Sequence, residues 1–448
     1  METLKPASKK KFVMYGMPRF GSSILLNIID FGLFRLYTEG YMVDPFLTGL
    51  GMGIGKISIG ASQFLMGWLS DKINTRIGKR KPFMITGAPL SALSFLFLLL
   101  PSFFLLNMEQ IELFLWILIW DSAFQFSYGY LTTPYQSMMA EHFIVGDRPK
   151  ASTYQNTLSI LGTATGIAVT FLLISDFITT FLNTGQLLIS FTAFMLIGAI
   201  LTIVLYCVCA YYFPVEPPVG AEMHFWEDLK VIVKDRNFMN ICILQGIAFL
   251  ALGMITPTVI GFAQDVLGFL DTFYYIAAVA LFIGIILFII LWKKLIDKTG
   301  KKNTILLIFL TGTIVLPFSL IGLIPGEINF ILGISYIMGV AATVGGWYLF
   351  PYIWYADLAE DADKRYEDGM RSGLYAGFPN VILNLGQAVS LIALGALESL
   401  PIVSADKNFS WGSVLWGVWC GIIFFIGFLY IKKFITLDFE WENDKVKK

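Results

Sequence analysis

Twelve apolar stretches run through the 448 residues with only short polar loops between most of them. Each comes close to the ~20 residues that a helix needs to cross a bilayer. They start near Phe12, Pro45, Phe83, Ile111, Ser152, Leu187, Phe238, Thr272, Thr304, Ile328, Ser372 and Trp411. Backbone surrounded by lipid must satisfy its own hydrogen bonds, which leaves helices as the form such stretches take. The expected fold class is therefore an all-α integral membrane protein with twelve transmembrane helices. Hydrophobic residues make up 56 % of the chain and charged residues 14 %, proportions that exclude an ordinary globular domain. A net charge of −1 leaves no footprint for nucleic acid.

The loops carry the orientation. Between Gly67 and Pro82 the chain packs Lys72, Arg76, Lys79, Arg80 and Lys81 around Asp71, directly between two apolar runs. Counted span by span, 27 of the 31 Lys and Arg residues fall on this side of the membrane, and Lys407 stands alone on the other. The positive-inside rule then places both termini in the cytosol of a multi-pass cell-membrane protein. The basic segment Met1 to Lys11 is expected to be retained, because the apolar run after it is too long for a signal peptide. Cys207, Cys209, Cys242 and Cys420 lie in apolar runs and read as small core residues rather than as disulfide or metal ligands. His142 and His224 lie outside the spans, and there is no nucleophile–base set or metal cluster. No enzyme activity, cofactor or metal is expected.

The two halves repeat a plan. Asp71-Lys72…Gly78-Lys79-Arg80 after the second span is echoed by Asp297-Lys298-Thr299-Gly300-Lys301-Lys302 after the eighth. Pro134-Tyr135…Ala140-Glu141 closes the fourth span as Pro351-Tyr352…Ala356-Asp357 closes the tenth. We expect two pseudo-symmetric six-helix bundles, residues 1–213 and 238–433. A cytosolic linker with an amphipathic helix, 214–237, joins them, and a cytosolic tail follows at 434–448. Such duplication is the plan of a rocker-type secondary transporter working by alternating access.

These same residues carry a family resemblance. Asp71-Lys72…Arg76-Ile77-Gly78-Lys79-Arg80-Lys81-Pro82 resembles the loop signature of the major facilitator superfamily. More narrowly, it is similar to the glycoside–pentoside–hexuronide cation symporters and the related sucrose–proton transporters. Gly369 to Gly377, Tyr15-Gly16 and Leu385-Gly386-Gln387-Ala388 match that family too, although its glutamate after Arg371 is missing here. The resemblance implies the major facilitator fold and a symporter of a glycoside or small oligosaccharide. It also shows departures. The two carboxylates that sodium-coupled members carry in span two fall on Ile59 and Gln63, and those of spans one and four fall on Ser23 and Thr132. The family's lysine in span eleven falls near Asn384. The second span is closer to the sucrose–proton branch, so the expected coupling ion is a proton rather than sodium.

Three charged residues lie within the spans near their middle. At 1.5 Å of rise per residue, Asp30 sits ~7 Å, Lys56 ~2 Å and Asp121 ~5 Å outside the middles of spans one, two and four, so all three fall in one layer. A charge at that depth costs at least ~2.5 kcal/mol and normally pairs or faces a cavity. Asp30, Lys56 and Asp121 are the proton-coupling candidates, with Lys56 paired to Asp30, to Asp121 or to both. A static ion pair holding three helices together is the other reading. Substrate-binding candidates are Arg19, Asn27, Gln125, Tyr128, Gln155, Gln245, Trp347, Tyr348, Tyr375, Asn380 and Asn384, since a sugar needs aromatic faces together with amide and hydroxyl groups. Trp347 is the expected stacking platform. Asp71 with Arg76 and Arg148, and Asp297 with Lys301 and Arg371, are expected to form a duplicated cytosolic gate. The expected partners are a small-molecule substrate, a sugar first, and the bilayer, with the protein a monomer. Uncoupled sugar facilitation and transport of an amphipathic lipid stand as alternatives.

Overall fold

The computed structural model describes residues 7–73, 75–105, 108–215, 230, 233–326, 328–365, 372–404, 406–407 and 409–436. The expected linker helix around His224 lies outside them. Twelve long helices follow in order. In the first half they are α1 (Lys9–Arg35), α2 (Pro45–Lys72), α3 (Lys81–Leu99), α4 (Gln110–His142), α5 and α6 (Ile189–Tyr212). α5 runs from Arg148–Val169 through a π turn at Thr170–Ile174 into Ser175–Thr184. In the second half they are α7 (Arg236–Gly261), α8 (Asp271–Thr299), α9 (Lys301–Val315, prolonged by a 3-10 segment, Leu316–Leu323), α10 (Phe330–Arg365), α11 (Ser372–Glu398) and α12 (Gly412–Phe434). Each starts close to its expected position; the largest offset, Arg148 against Ser152, is four residues.

Ten of the twelve are apolar enough to cross a membrane on composition alone. The other two, α2 and α4, are diluted by glycine, serine and the charged layer, and they pack extensively against each other. The chain divides into two compact units, Met1–Glu222 and Met223–Lys448.

The duplicated plan is visible in the packing of each unit. In the first, α1 packs on α5 and α6, α2 on α4, and α3 on α4 and α6; in the second, α7 packs on α11 and α12, α8 on α10, and α9 on α10 and α12. The correspondence extends to the backbone. α1 ends in a π turn, Leu36–Gly40, where Tyr41 N donates to Leu36 O and Val43 N to Tyr37 O. α7 ends in a π turn, Phe262–Val266, where Leu267 N donates to Phe262 O and Phe269 N to Ala263 O. The same two bonds, one five and one six residues back, close both helices.

Lipid tails are as apolar as leucine, so helix association here rests on close backbone approach. Gly162 and Gly166, spaced as Gly-x-x-x-Gly on α5, supply it. A Cβ on Gly162 would lie 2.3 Å from Phe20 O of α1, and one on Gly166 would lie 2.8 Å from Ile24 O. The second unit uses Gly386 of α11 in the same way, 2.4 Å from Gly246 O of α7.

At the basic end of the first unit an aromatic plug fills the bundle. Tyr15 stacks on Tyr135 at 5.1 Å between ring centroids, and Tyr135 OH donates to Tyr15 O. Phe12, Phe143 and Phe213 complete the cluster. The cations around it cap helix ends: Lys11 Nζ donates to His142 O at 2.7 Å and Lys81 Nζ to Phe213 O at 2.6 Å, at the C-termini of α4 and α6. Those are the carbonyls a helix leaves unbonded, at its negative end.

Candidate functional site

The glycine seam between α1 and α5 aligns two polar rows. Along α1, Arg19, Ser23, Asn27 and Asp30 recur at spacings of four, four and three residues and so share one face. Along α5, Gln155, Ser159 and Thr163 recur every four residues. The rows interlock: Ser23 Oγ lies 2.8 Å from Ser159 Oγ, and Asn27 Nδ2 donates to Thr163 Oγ1 at 3.1 Å and to Ser23 O at 2.8 Å. Arg19 reaches both neighbours, donating to Ser159 Oγ at 3.4 Å and to Tyr128 OH of α4 at 3.2 Å. Arg19, Asn27, Ser159 and Thr163 are half-buried, so the column is not sealed in the core.

The charged layer sits at the far end of this column. Lys56 Nζ of α2 bonds Asp30 Oδ1 at 2.5 Å, with Lys56 buried and Asp30 partly accessible. Lys56 therefore pairs with Asp30, and among the described residues no bond joins it to Asp121. Asp121 is fully buried; Gln125 Nε2 donates to its Oδ1 at 3.3 Å, and its Oδ2 has no hydrogen-bond partner. Gly55 makes room for that carboxylate, since a Cβ there would stand 1.9 Å from Oδ2.

The family model described as MFS/sugar transport protein matches residues 14–438. The chain belongs to that family.

Two curated relatives of this MFS protein, both named sodium-dependent lysophosphatidylcholine symporter 1, are 23 % identical to it. The one from Xenopus tropicalis aligns over 71 % of this chain and 65 % of its own length, so the chain spans less than two thirds of that relative. The one from Gallus gallus aligns over 88 % of this chain and 79 % of its own. Among solved structures, a D-xylose-proton symporter superposes with a TM-score of 0.69 at 15 % identity, covering 95 % of this chain and 97 % of that one. The nucleoside transporter NupG superposes at 0.61 with 17 % identity over 94 % and 99 %. At such identities the likeness is one of fold. The chain is a multi-pass membrane protein of the MFS fold.

Other expected site residues of this MFS protein fall elsewhere. Trp347 is not a stacking platform: it is 1 % exposed, wedged edge-on between Phe249 and Phe309 at 6.1 and 5.9 Å. Its position near the middle of α10 is right, but its ring faces the packed interior of the second unit. Gln245 is buried as well, whereas Tyr348, its neighbour in the expected set, is exposed. Asn384 donates to Asn380 O, the backbone of its own helix, and the side chain of Tyr375 lies outside the described residues. Thr132, on the family's span-four carboxylate position, is satisfied by Tyr128 O, and Ile59 is a buried aliphatic side chain.

The expected gate lies only partly within the described residues. The carboxylate that gathers the basic loop is Glu141, which meets Lys79 Nζ at 2.8 Å and Arg80 at 3.0 Å, while Arg80 also donates to Ser70 Oγ at 2.5 Å. Arg76 is exposed on the turn from Thr75 to Gly78, and Arg148 donates to Phe143 O. Asp297 is exposed and Lys301 half-buried; the side chain of Asp71 and the whole of Arg371 lie outside the described residues. Glu141 closes the Pro-Tyr…Ala-acid motif, and that repeated acid was the available signal for it. Replacing Glu141 by Gln leaves two poorly solvated cations and is expected to cost about 3 kcal/mol, near the lower bound for breaking a buried pair. A thermal melt in detergent checks this; an unchanged midpoint would show the cluster to be merely topogenic.

Ser159 and Thr163 were missed among the expected site residues. Their signal was the four-residue recurrence from Gln155, which hydroxyl content alone does not reveal.

Proposed function

We propose that the protein is a secondary active transporter of a small hydroxyl-rich solute, a glycoside or short oligosaccharide first, coupled to protons by alternating access. The observation that carries this reading is the column Arg19, Ser23, Asn27, Ser159 and Thr163 with Tyr128. It offers a guanidinium, a carboxamide, a phenol and several hydroxyls on two facing rows, the donor and acceptor variety that a polyol needs. The ion pair Lys56–Asp30 at the end of the column is the coupling element. A buried pair in a membrane is costly to keep and is worth retaining where its breakage does work. Sodium has no evident home at the family's span-two position, because Ile59 offers no oxygen.

A second reading is a lysolipid or similar amphipathic solute, with its polar head at Arg19. It draws support from the burial of Trp347, which removes the expected sugar platform. The curated relatives named above point the same way. In both readings Arg19→Gln is expected to raise KM about 10- to 100-fold, as loss of a charged hydrogen bond does, with the melting midpoint held. Uptake into proteoliposomes tests the whole proposal, with sugar and lysolipid panels offered under separate proton and sodium gradients. Accumulation of a glycoside driven by protons supports the first reading. Lysolipid accumulation supports the second, and accumulation that needs sodium overturns the coupling assignment.

A further inference from the structure

The layer of Asp30, Lys56 and Asp121 holds two carboxylates and a single ammonium. If both acids were ionised, the layer would carry one uncompensated negative charge in a low-dielectric interior, which is strongly disfavoured. One acid must therefore bind a proton or a cation, and the geometry distinguishes the two acids. Asp30 holds Lys56 at 2.5 Å and has access to the polar column. Asp121 has no ion pair, no exposure and an unpartnered Oδ2, and the Oε1 of Gln125 beside it is unpartnered too. Each is a buried acceptor left without a donor. The oxygen and nitrogen of a carboxamide are interchangeable in assignment. Turning Gln125 about puts its Oε1 where Nε2 stands, 3.3 Å from Asp121 Oδ1, ready to accept from a carboxyl O–H.

We infer that Asp121 is a neutral carboxylic acid that stores one proton in this arrangement, donating it to Gln125, while Asp30 is the fixed counter-ion of Lys56. A metal cation fits poorly. A hard cation needs several oxygen ligands, whereas Oδ2 is pressed against the bare backbone of Gly55. The groups facing Asp121 are Lys56 from α2, Asp30 from α1, Gln125 on α4 itself, and Tyr37 from the end of α1. The Tyr37 hydroxyl donates to Leu98 O, so it serves α3 and not the acid. When the proton leaves to water, Asp121 becomes a second carboxylate competing for Lys56, which loosens the bond to Asp30 at the end of the substrate column.

This rests on the proton-coupled reading above, and infrared spectroscopy separates the two. In lipid nanodiscs at neutral pH, the wild-type minus Asp121→Asn difference spectrum is expected to show a protonated-carboxyl C=O band. That band should persist in Glu398→Gln, which removes another carboxyl held by Ser410 and Ser413. It should be lost in Asp30→Asn, where Asp121 is the acid left to neutralise Lys56, and should move to higher frequency in Gln125→Leu, which removes the acceptor but keeps the acid. No band in the difference spectrum, or one unmoved in Gln125→Leu, overturns the assignment. So does a band abolished by sodium chloride at constant pH, since that marks a cation site. Proton-driven flux without the band would sink this inference and leave the transport reading standing; the band without proton-driven flux would do the reverse.

Discussion

Lys56→Met is expected to abolish accumulation of substrate against a gradient and to lower stability by about 3 kcal/mol, the low end for a broken buried pair, because Asp30 is left as a half-buried charge without its partner. The double variant Lys56→Met with Asp30→Asn removes both charges and should recover most of that stability. It should not recover accumulation. Thermal melts and proteoliposome flux read the two effects separately, and the cycle reads the pairwise energy because, among the described residues, the ion pair of each group is with the other. A double variant no more stable than the single one would show that the bond of Lys56 to Asp30 does not hold the helices together. A double variant that still accumulates solute would remove the pair from the coupling mechanism altogether.

The second large effect is expected at Gly162. An added Cβ would meet Phe20 O at 2.3 Å, and a backbone carbonyl inside a helix cannot swing aside. Helices α1 and α5 must then part by about 1 Å to reach ordinary contact. Gly162→Ala should therefore lower stability by about 1–3 kcal/mol, as overpacking does. It should also weaken substrate binding more than an equally destabilising change elsewhere, because the Ser23–Ser159 contact at 2.8 Å depends on that approach. Comparison with Gly386→Ala, which meets Gly246 O at 2.4 Å in the second unit, separates the two losses. The second variant should melt lower yet keep its affinity for ligand at the α1–α5 column. Equal affinity losses in both would mean that the column does not bind the solute.

Helix number and position were legible because length and hydropathy are local properties. Even so, α2 and α4 fall below the composition of an ordinary span, and their starts came from Pro45 and from the apolar run after Glu109. The charged layer was legible for a different reason: a charge in the middle of an apolar run has few physical explanations. Its pairing was not legible. Depth along the bilayer put Lys56 level with both aspartates, and only the approach of α1 to α2 chose Asp30. Trp347 failed for a related reason. Sequence gives the depth of a side chain in the membrane but not its azimuth, and Phe249 and Phe309 close on it from other helices. The role of Glu141 was not legible because Lys79 and Arg80 reach across to it at the end of α4, far along the chain.

The matching π turns at the ends of α1 and α7 bear on the history of the chain. Widening a helical turn by one residue is a rare event, and these two occur at the same point of the packing scheme with the same pair of closing bonds. Their sequences, Leu36-Tyr37-Thr38-Glu39-Gly40 and Phe262-Ala263-Gln264-Asp265-Val266, share no residue in register. A backbone irregularity that outlives every side chain around it points to an ancestor of six helices that already carried it before the gene doubled.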